Sequence, residues 1–458
     1  MNNEVKNGQI KCPYCGATDI SLNENTGLLK CNYCRSEFEG NKINESDDIH
    51  KLEGSVVGRG AQNIESNTDD IVTFRCQGCG AEVVIDTSES TQARCHWCRS
   101  FLSINEQIPN GSVPDVVLPF KVKKDEAKEI ITKFVSSRKF FANPKFTKEF
   151  TLENIMGVYF PYMLVDVNAH ANFKGEGEHL VRRYTVGTGE DSETYYDADL
   201  YAVERDFDII IDDLSVESSS DKLNVTSNDK TTNVINAIMP FDTENCVKWN
   251  ANYLRGFSSE KRDTNIEELR EMVNTQSRDI ARIGINDSLK FYDRGVVWSN
   301  ELLTIKGERW NAAYLPVWLY SYQEVKGEKK LLHYVAVNAR TKEVMGSVPI
   351  NMPKLILMSF LIEILSGFAM FNIEFENNWI LLSAGIIFYI VMYLRYRNSD
   401  KRHYYEKDTK RNITNIKAVD NLIKRKTRLR NSRMNGANNK KVYGSKTINI
   451  FTDGNKKL

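Results

Sequence analysis

Eight of the nine cysteines in this 458-residue chain fall in four Cys-x-x-Cys pairs. Cys12/Cys15 and Cys31/Cys34 form one group; Cys76/Cys79 and Cys95/Cys98 form the other. Each group has 15 residues between its pairs, and every cysteine of the second stands 64 positions beyond its counterpart in the first. Thiolates so spaced suit tetrahedral zinc, because two intervening residues make a knuckle that turns both sulfurs to one side. Fifteen residues suffice for a hairpin that carries the second knuckle round to the first. Gly16 and Gly80 follow the first knuckle of each group, where the backbone must reverse. Four cysteines per ion leave no position for water, so two structural Zn2+ ions are expected. Disulfides and redox pairs are the competing chemistries. A cytosolic setting disfavours the first, and four redox pairs would be more than a redox motif needs. His96 lies inside a knuckle and is expected to be exposed there.

No catalytic constellation accompanies the cysteines. The chain has no phosphate-binding Gly-x-x-x-x-Gly-Lys-Ser/Thr loop, no His-Glu-x-x-His and no Gly-x-Ser-x-Gly. His170 and His179 flank Lys174-Gly175-Glu176-Gly177, read as a Gly-rich turn between strands, and Cys246 is expected to pack as a small hydrophobe. A non-enzymatic protein is the resulting expectation.

The chain that must position these groups divides by composition into a zinc ribbon at 10–38, a polar flexible linker at 39–70, a second ribbon at 72–104 and an α+β domain at 115–350. Helices are predicted after Asp125, from the stripe Ala127, Ile130, Ile131, Phe134 and Val135, and after a capping box of Thr264 and Glu267. Strands are predicted at 157–173, 195–203, 314–325 and 331–337, which are rich in Val, Tyr, Phe and Leu. Residues 218–232 read as a polar surface loop. An internal echo pairs Leu118-Pro119-Phe120 with Met239-Pro240-Phe241, and Tyr159-Phe160-Pro161 with Tyr314-Leu315-Pro316, so the domain could be duplicated.

Two apolar runs follow, giving a predicted transmembrane helical hairpin at 354–396 with spans 355–373 and 378–396. Lys354 precedes it, Arg395 and Arg397 close it, and the connecting loop holds Glu374 and Glu376. The positive-inside rule then places both termini in the cytosol, the compartment that eight free thiols also favour. Glu363 stands within the first span and could bond Ser383 or Tyr389. Formal charge is zero overall, with 61 basic and 61 acidic residues. From Arg395 onward, however, 19 Lys/Arg face 5 Asp/Glu, a net of +14. Residues 397–458 therefore read as a basic cytosolic tail able to meet anionic lipid or nucleic acid. Basic and acidic residues nearly balance around the ribbons, which disfavours nucleic acid there.

This arrangement resembles the bacterial TFIIB-type zinc-ribbon-containing membrane proteins. The resemblance is carried by Cys12-Pro13-Tyr14-Cys15-Gly16, by Leu118-Pro119-Phe120 with its following helix, and by Gly157-Val158-Tyr159-Phe160-Pro161-Tyr162. Pro240-Phe241-Asp242, Tyr253-Leu254-Arg255-Gly256-Phe257, Leu315-Pro316-Val317-Trp318-Leu319 and the run from Val337 to Gly346 extend it over most of residues 10–395. The complete second ribbon and the basic tail depart from it. Some members are linked to operons of phage-shock-type and SPFH-type envelope-stress proteins, which implies a scaffold recruiting membrane-associated partners. The expected protein is thus a multi-pass cell-membrane adaptor that contacts membrane lipids and docks proteins through its ribbons and α+β domain. The alternative is a membrane-tethered nucleic-acid binder.

Overall fold

In the computed structural model of the chain, residues 12–17, 20–23, 26, 28–40, 48–62, 71–76, 79–86, 93–99, 101–102, 107–108, 114–187, 193–219, 238–249, 251–254, 256–260, 262–326, 329–372, 383–397 and 415–435 are described. The first cysteine group carries a small antiparallel sheet of β1 (Ile20–Leu22), β2 (Leu29–Cys31) and β3 (Glu37–Phe38). Then come β4 (Gly54–Val57), the hairpin β5 (Ile71–Arg75) and β6 (Glu82–Asp86), the short pair β7 (Ala93–Arg94) and β8 (Phe101–Leu102), β9 (Gln107–Ile108) and β10 (Val116–Val117). Helices α1 (Lys124–Ser136) and α2 (Pro144–Glu149) lead into β11 (Met156–Val186) and β12 (Glu193–Glu217). After β13 (Val247–Lys248), β14 (Ser258–Glu260) and α3 (Ile266–Gly284) come β15 (Gly295–Lys326), β16 (Lys329–Asn338) and β17 (Val344–Gly346). The apolar helices α4 (Met352–Asn372) and α5 (Ala384–Arg397) precede β18 (Ile416–Asn435).

The centre of the molecule is the antiparallel pair β11 and β15, in register from Met156/Leu319 to Glu178/Gly295. From Gly157 to Ala169 every β11 residue is buried, because both sheet faces are covered there. Tyr159 packs with α1 residues Ala127, Ile131 and Phe134, while Met163, Val165 and Val167 pack with Leu269, Val273 and Ile280 of α3. The opposite face, Val158, Phe160, Tyr162 and Leu164, is covered by Cys76, Cys95 and Trp97 together with Ile238, Met239 and Phe241. Beyond His170 burial alternates: Ala171, Phe173, Gly175 and Gly177 point inward, Lys174 and Glu176 outward. That period of two marks a sheet with one wet face.

The Gly-rich segment at 174–177 is therefore strand, not turn. A register shift occurs between Lys174 and Gly175, and a Cβ at Gly175 would collide with the Val297 carbonyl, so only glycine lets the strands approach there. The capping predictions also fail. Helix α1 starts without a side-chain cap, Asp125 instead pairing with Lys128 at 3.0 Å. Helix α3 starts behind Asn265, and Thr264 Oγ1 donates to Asp263. Of the polar stretch 218–232, only Ser218 and Ser219 lie within the described residues, and both are buried.

Three predicted boundaries dissolve into the main sheet. The second ribbon is not a free module, since β6 pairs with β14, which lies parallel to β11. The linker is ordered over 48–62, where β4 runs parallel to β15. Asp115 staples it by accepting from Gly60 N at 2.6 Å while also accepting from Ala312 N at 2.9 Å. Residues 41–47 and 63–70 of that linker lie outside the described residues. Asp115→Ala would orphan two amides, each costing about 1–3 kcal/mol if left buried. A fall of that order in unfolding free energy, with early proteolytic cleavage near residue 60, is the expected outcome. An unchanged denaturation midpoint would refute the staple.

The basic tail, so far as it is described, is likewise not a tail. β18 forms an outer strand on β12, with Arg425 on Glu204 at 3.2 Å and Arg428 on Asp199 at 2.8 Å. Residues 398–414 and 436–458 lie outside the described residues.

Part of the internal echo meets itself. Tyr159 lies opposite Pro316 and Pro161 opposite Tyr314. The other part does not, because Leu118 follows β10 whereas Pro240 sits in an irregular segment. Asn338 donates there to the Ile238 and Pro240 carbonyls at 2.9 and 3.0 Å, and Arg340 pairs with Asp242 at 2.6 Å.

Among the described residues one helix, Met352–Ala369 within α4, is long and apolar enough to cross a membrane; described α5 is shorter. Glu363 accepts from Gly385 N at 2.7 Å, a partner different from the Ser383 or Tyr389 expected, and joins α4 to the first turn of α5. The connecting residues 373–382, Glu374 and Glu376 included, lie outside the described residues.

Candidate metal centres

Each ribbon builds its site from two knuckles. In the first, Gly16 N donates to Cys12 O at 2.9 Å and Arg35 N to Cys31 O at 2.8 Å. Gly80 N to Cys76 O and Arg99 N to Cys95 O repeat this at 2.7 and 2.8 Å. All four closing residues have positive φ, 74° and 78° at Gly16 and Gly80, and 61° and 62° at Arg35 and Arg99. Glycine adopts this conformation freely; the two arginines hold it against a steric cost. The arginines were not singled out by the sequence, although their matching positions were the available signal.

The knuckles bring together all eight predicted ligands. The Sγ atoms of Cys12, Cys15, Cys31 and Cys34 lie within 4.8 Å of one another, as do those of Cys76, Cys79, Cys95 and Cys98. Individual separations are 3.5 Å for Cys12/Cys34, 3.6 Å for Cys15/Cys31, 3.3 Å for Cys76/Cys98 and 3.7 Å for Cys79/Cys95. A disulfide needs about 2.05 Å. Four sulfurs about 2.3 Å from a tetrahedral ion stand about 3.8 Å apart. The donor set thus fits a metal ion and is consistent with zinc. The clustered thiols already share their protons unequally. Hydrogen bonding to Cys95 draws Cys79 down to about 5 and pushes Cys95 up, while the Ser36 hydroxyl draws Cys34 down to about 6. Metal uptake would displace the remaining thiol protons.

The two sites sit differently. In the second ribbon His96 is buried, contrary to the expected exposure, with Nε2 3.7 Å from Glu260 and its ring edge-on to Phe160. Trp97 packs edge-on to Phe160 and Tyr334 at 5.8 and 5.5 Å, and Arg99 lies over the Tyr320 ring at 4.4 Å. The knuckle is a plug in the aromatic sheet face. In the first ribbon Ile20, Leu29, Cys12 and Cys31 face the core beside Tyr253. Its knuckle tips do not, Tyr14 being 69% and Tyr33 81% exposed.

A third acidic group, Asp166, Asp212 and Asp213, also gathers within 4.8 Å. It lies at a bulge, where Asp212 and Asp213 oppose the single residue Asp166. Its charges are already met by Arg309 on Asp166 at 3.1 Å, Lys417 on Asp212 at 2.8 Å and the Asp213 amide on Asp166 at 2.9 Å. Burial, with Asp213 beside it, pushes the Asp166 carboxyl up to about 7. The folded state therefore holds a proton that the unfolded chain has lost above about pH 4, and this group's contribution to stability falls as pH rises through roughly 4 to 7. Asp166→Asn removes that slope, so the variant should gain on wild type between pH 5 and 8 in thermal midpoint. Parallel pH profiles would contradict the assignment.

His170 and His179 are ordinary strand residues, bonded to Asp208 at 3.0 Å and to the Phe291 carbonyl at 2.8 Å. Cys246 is buried as expected. No family model, no curated protein and no solved structure matches the chain.

Proposed function

We propose that the protein is a non-enzymatic scaffold, held in a membrane by the α4–α5 hairpin and presenting zinc ribbons to protein partners in the cytosol. Two structural zinc ions are the natural occupants of two closed four-thiol sites in a reducing compartment. Two crossings are supported by the sheet itself. β18 follows the hairpin and β12 precedes it, yet they pair, which favours a chain that returns to the side it left. Lys354 and Arg395 at the hairpin base, with Glu374 and Glu376 in its loop, favour the cytosol for that side. The facing Tyr159 and Tyr314 segments fit a duplicated domain.

The observation that carries the docking role is the contrast between the ribbons. Tyr33 and Arg35 occupy the positions of Trp97 and Arg99, 64 residues apart. The second pair is seated on this chain's own aromatic face; the first is exposed in the same knuckle geometry. Exposed aromatic and arginine side chains are what protein interfaces favour. The resemblance described above makes an envelope-stress protein the first partner class to examine. The test is recovery of partners from solubilised membranes by wild type and by Tyr14→Ala/Tyr33→Ala. A specific protein kept by wild type and lost by the zinc-loaded variant supports the reading, and no specific partner for wild type sinks it.

The second reading, a membrane-tethered nucleic-acid binder, draws on the same tyrosines, which could stack bases beside Arg35, and on the cations of β18. Salt-sensitive retardation of DNA or RNA by the full chain would favour it.

A further inference from the structure

The segment between α1 and α2 forms a collar around the base of the hairpin. Phe141 is buried against Leu355 and Tyr396, with Met358, Phe388 and Met392 packed around them. Its amide donates to Tyr396 Oη at 3.0 Å, and the Tyr396 hydroxyl donates to the Arg138 carbonyl. Lys354 Nζ donates to the Phe140 carbonyl at 2.6 Å and lies 3.9 Å over the Phe140 ring. Asn351 N donates to Phe141 O at 2.8 Å and Asn143 N to Pro349 O at 2.7 Å. Residues 138–143 are thus fixed at the level where α4 begins.

What this collar shows to its surroundings is unusual. Phe140 is 60% exposed and Lys139 is exposed. The half-buried Arg138 guanidinium lies 3.7 Å over the Phe134 ring, with Nη1 donating to Phe134 O at 3.1 Å and Ser137 Oγ at 3.0 Å while Nε has no hydrogen-bond partner. Arg395 lies close enough to weigh on the Arg138 charge. None of Arg138, Lys139, Lys354 and Arg395 forms an ion pair among the described residues, whereas the β18 cations Arg425 and Arg428 are already paired. An outward aromatic ring amid four cations that meet no carboxylate among the described residues matches an interfacial boundary, where the ring meets acyl chains and the cations meet phosphate.

We propose that residues 138–141, with Lys354 and Arg395, form a binding site for an anionic phospholipid of the bilayer. The lipid phosphate sits among the four cations and Phe140 enters the acyl boundary. The proposal rests on the membrane-anchor reading and moves lipid contact from the basic tail to this collar. Screened attraction is worth about 1 kcal/mol per cation near the surface, or roughly fivefold in affinity.

The test uses the zinc-loaded full chain reconstituted in vesicles of phosphatidylcholine, alone or with phosphatidylglycerol in equal parts, followed by gentle extraction and native mass spectrometry. Wild type should retain phosphatidylglycerol over phosphatidylcholine. Lys139→Gln/Phe140→Ser should lose about fivefold of that preference while keeping both zinc ions and resisting alkaline carbonate extraction. Lys424→Gln/Lys426→Gln on β18 should leave the preference intact. Equal retention of the two lipids by embedded wild type overturns the proposal alone. So does loss of the preference in the β18 variant but not in the collar variant. Release of wild type by carbonate overturns the anchor reading and, with it, the site.

Discussion

Cys95→Ser is expected to unfold much of the α+β domain, not merely to empty one ribbon. Cys95 is fully buried, in one cluster with Trp97, Phe160, Leu164 and Leu315 of the central strands. A metal-bound ribbon owes most of its folding free energy to the ion, about 10–16 kcal/mol in isolated finger peptides. Here part of that is offset, because the knuckle is also packed. A loss on the order of 5 kcal/mol remains, comparable with the whole stability of a typical domain. For a unit of this size that is about 10–20 °C in unfolding midpoint. The variant should bind one zinc per chain, melt well below wild type and become sensitive to protease within β11 and β15. Cys15→Ser should also bind one zinc but melt closer to wild type, since Cys15 sits on the exposed knuckle. Near-equal midpoints for the two variants would show that the second ribbon is no more part of the core than the first.

The second large effect separates the plug from the ion. Trp97→Ala leaves all eight ligands in place and removes the ring that fills the face between Phe160 and Tyr334. Buried Trp to Ala costs about 3–5 kcal/mol. Tyr33→Ala, at the matching position of the first ribbon, should change stability by about 0.5 kcal/mol or less. Both should keep two zinc ions, measured on the same samples as the denaturation midpoints. If Tyr33→Ala proves as costly as Trp97→Ala, the first knuckle is seated after all and its docking role falls.

The metal centres were legible because their information is local: eight cysteines at fixed spacing leave few alternatives. The cores of β11 and β15 were legible too, as dense runs of Val, Tyr and Phe. The outer halves of these strands were not. Past His170 the pattern thins to alternating glycine, alanine and charge, which resembles loop until a partner strand is placed beside it. β4 gave no side-chain signal at all. Its four residues, Gly54 to Val57, are all exposed, and it belongs to the sheet through backbone pairing with β15, to which the Ser55 hydroxyl adds one hydrogen bond on Glu308 at 3.0 Å. β18 misled for a different reason. Lys424, Arg425 and Lys426 look like a solvated charge run, but the strand partner of Arg425, Glu204, stands more than 200 residues earlier. Such complementarity cannot be seen in a local window. His96 was misjudged because its burial depends on what the whole ribbon packs against.

The placement of β18 also sets a clock. Its partner β12 is complete at Glu217, while β18 ends at Asn435. At about 5–20 residues per second, synthesis of the intervening chain takes roughly 10–40 s. Throughout that interval β12 shows an open edge rich in Ile209, Ile210 and Ile211, a template on which other nascent chains could add strands. The hairpin emerges from the ribosome inside the same interval. On the membrane-anchor reading proposed above, delivery of α4 and α5 to the bilayer and closure of the sheet are therefore ordered in time. A nascent chain stalled before residue 416 would be caught with its edge uncovered, and chaperones that shield strand edges would be needed most then.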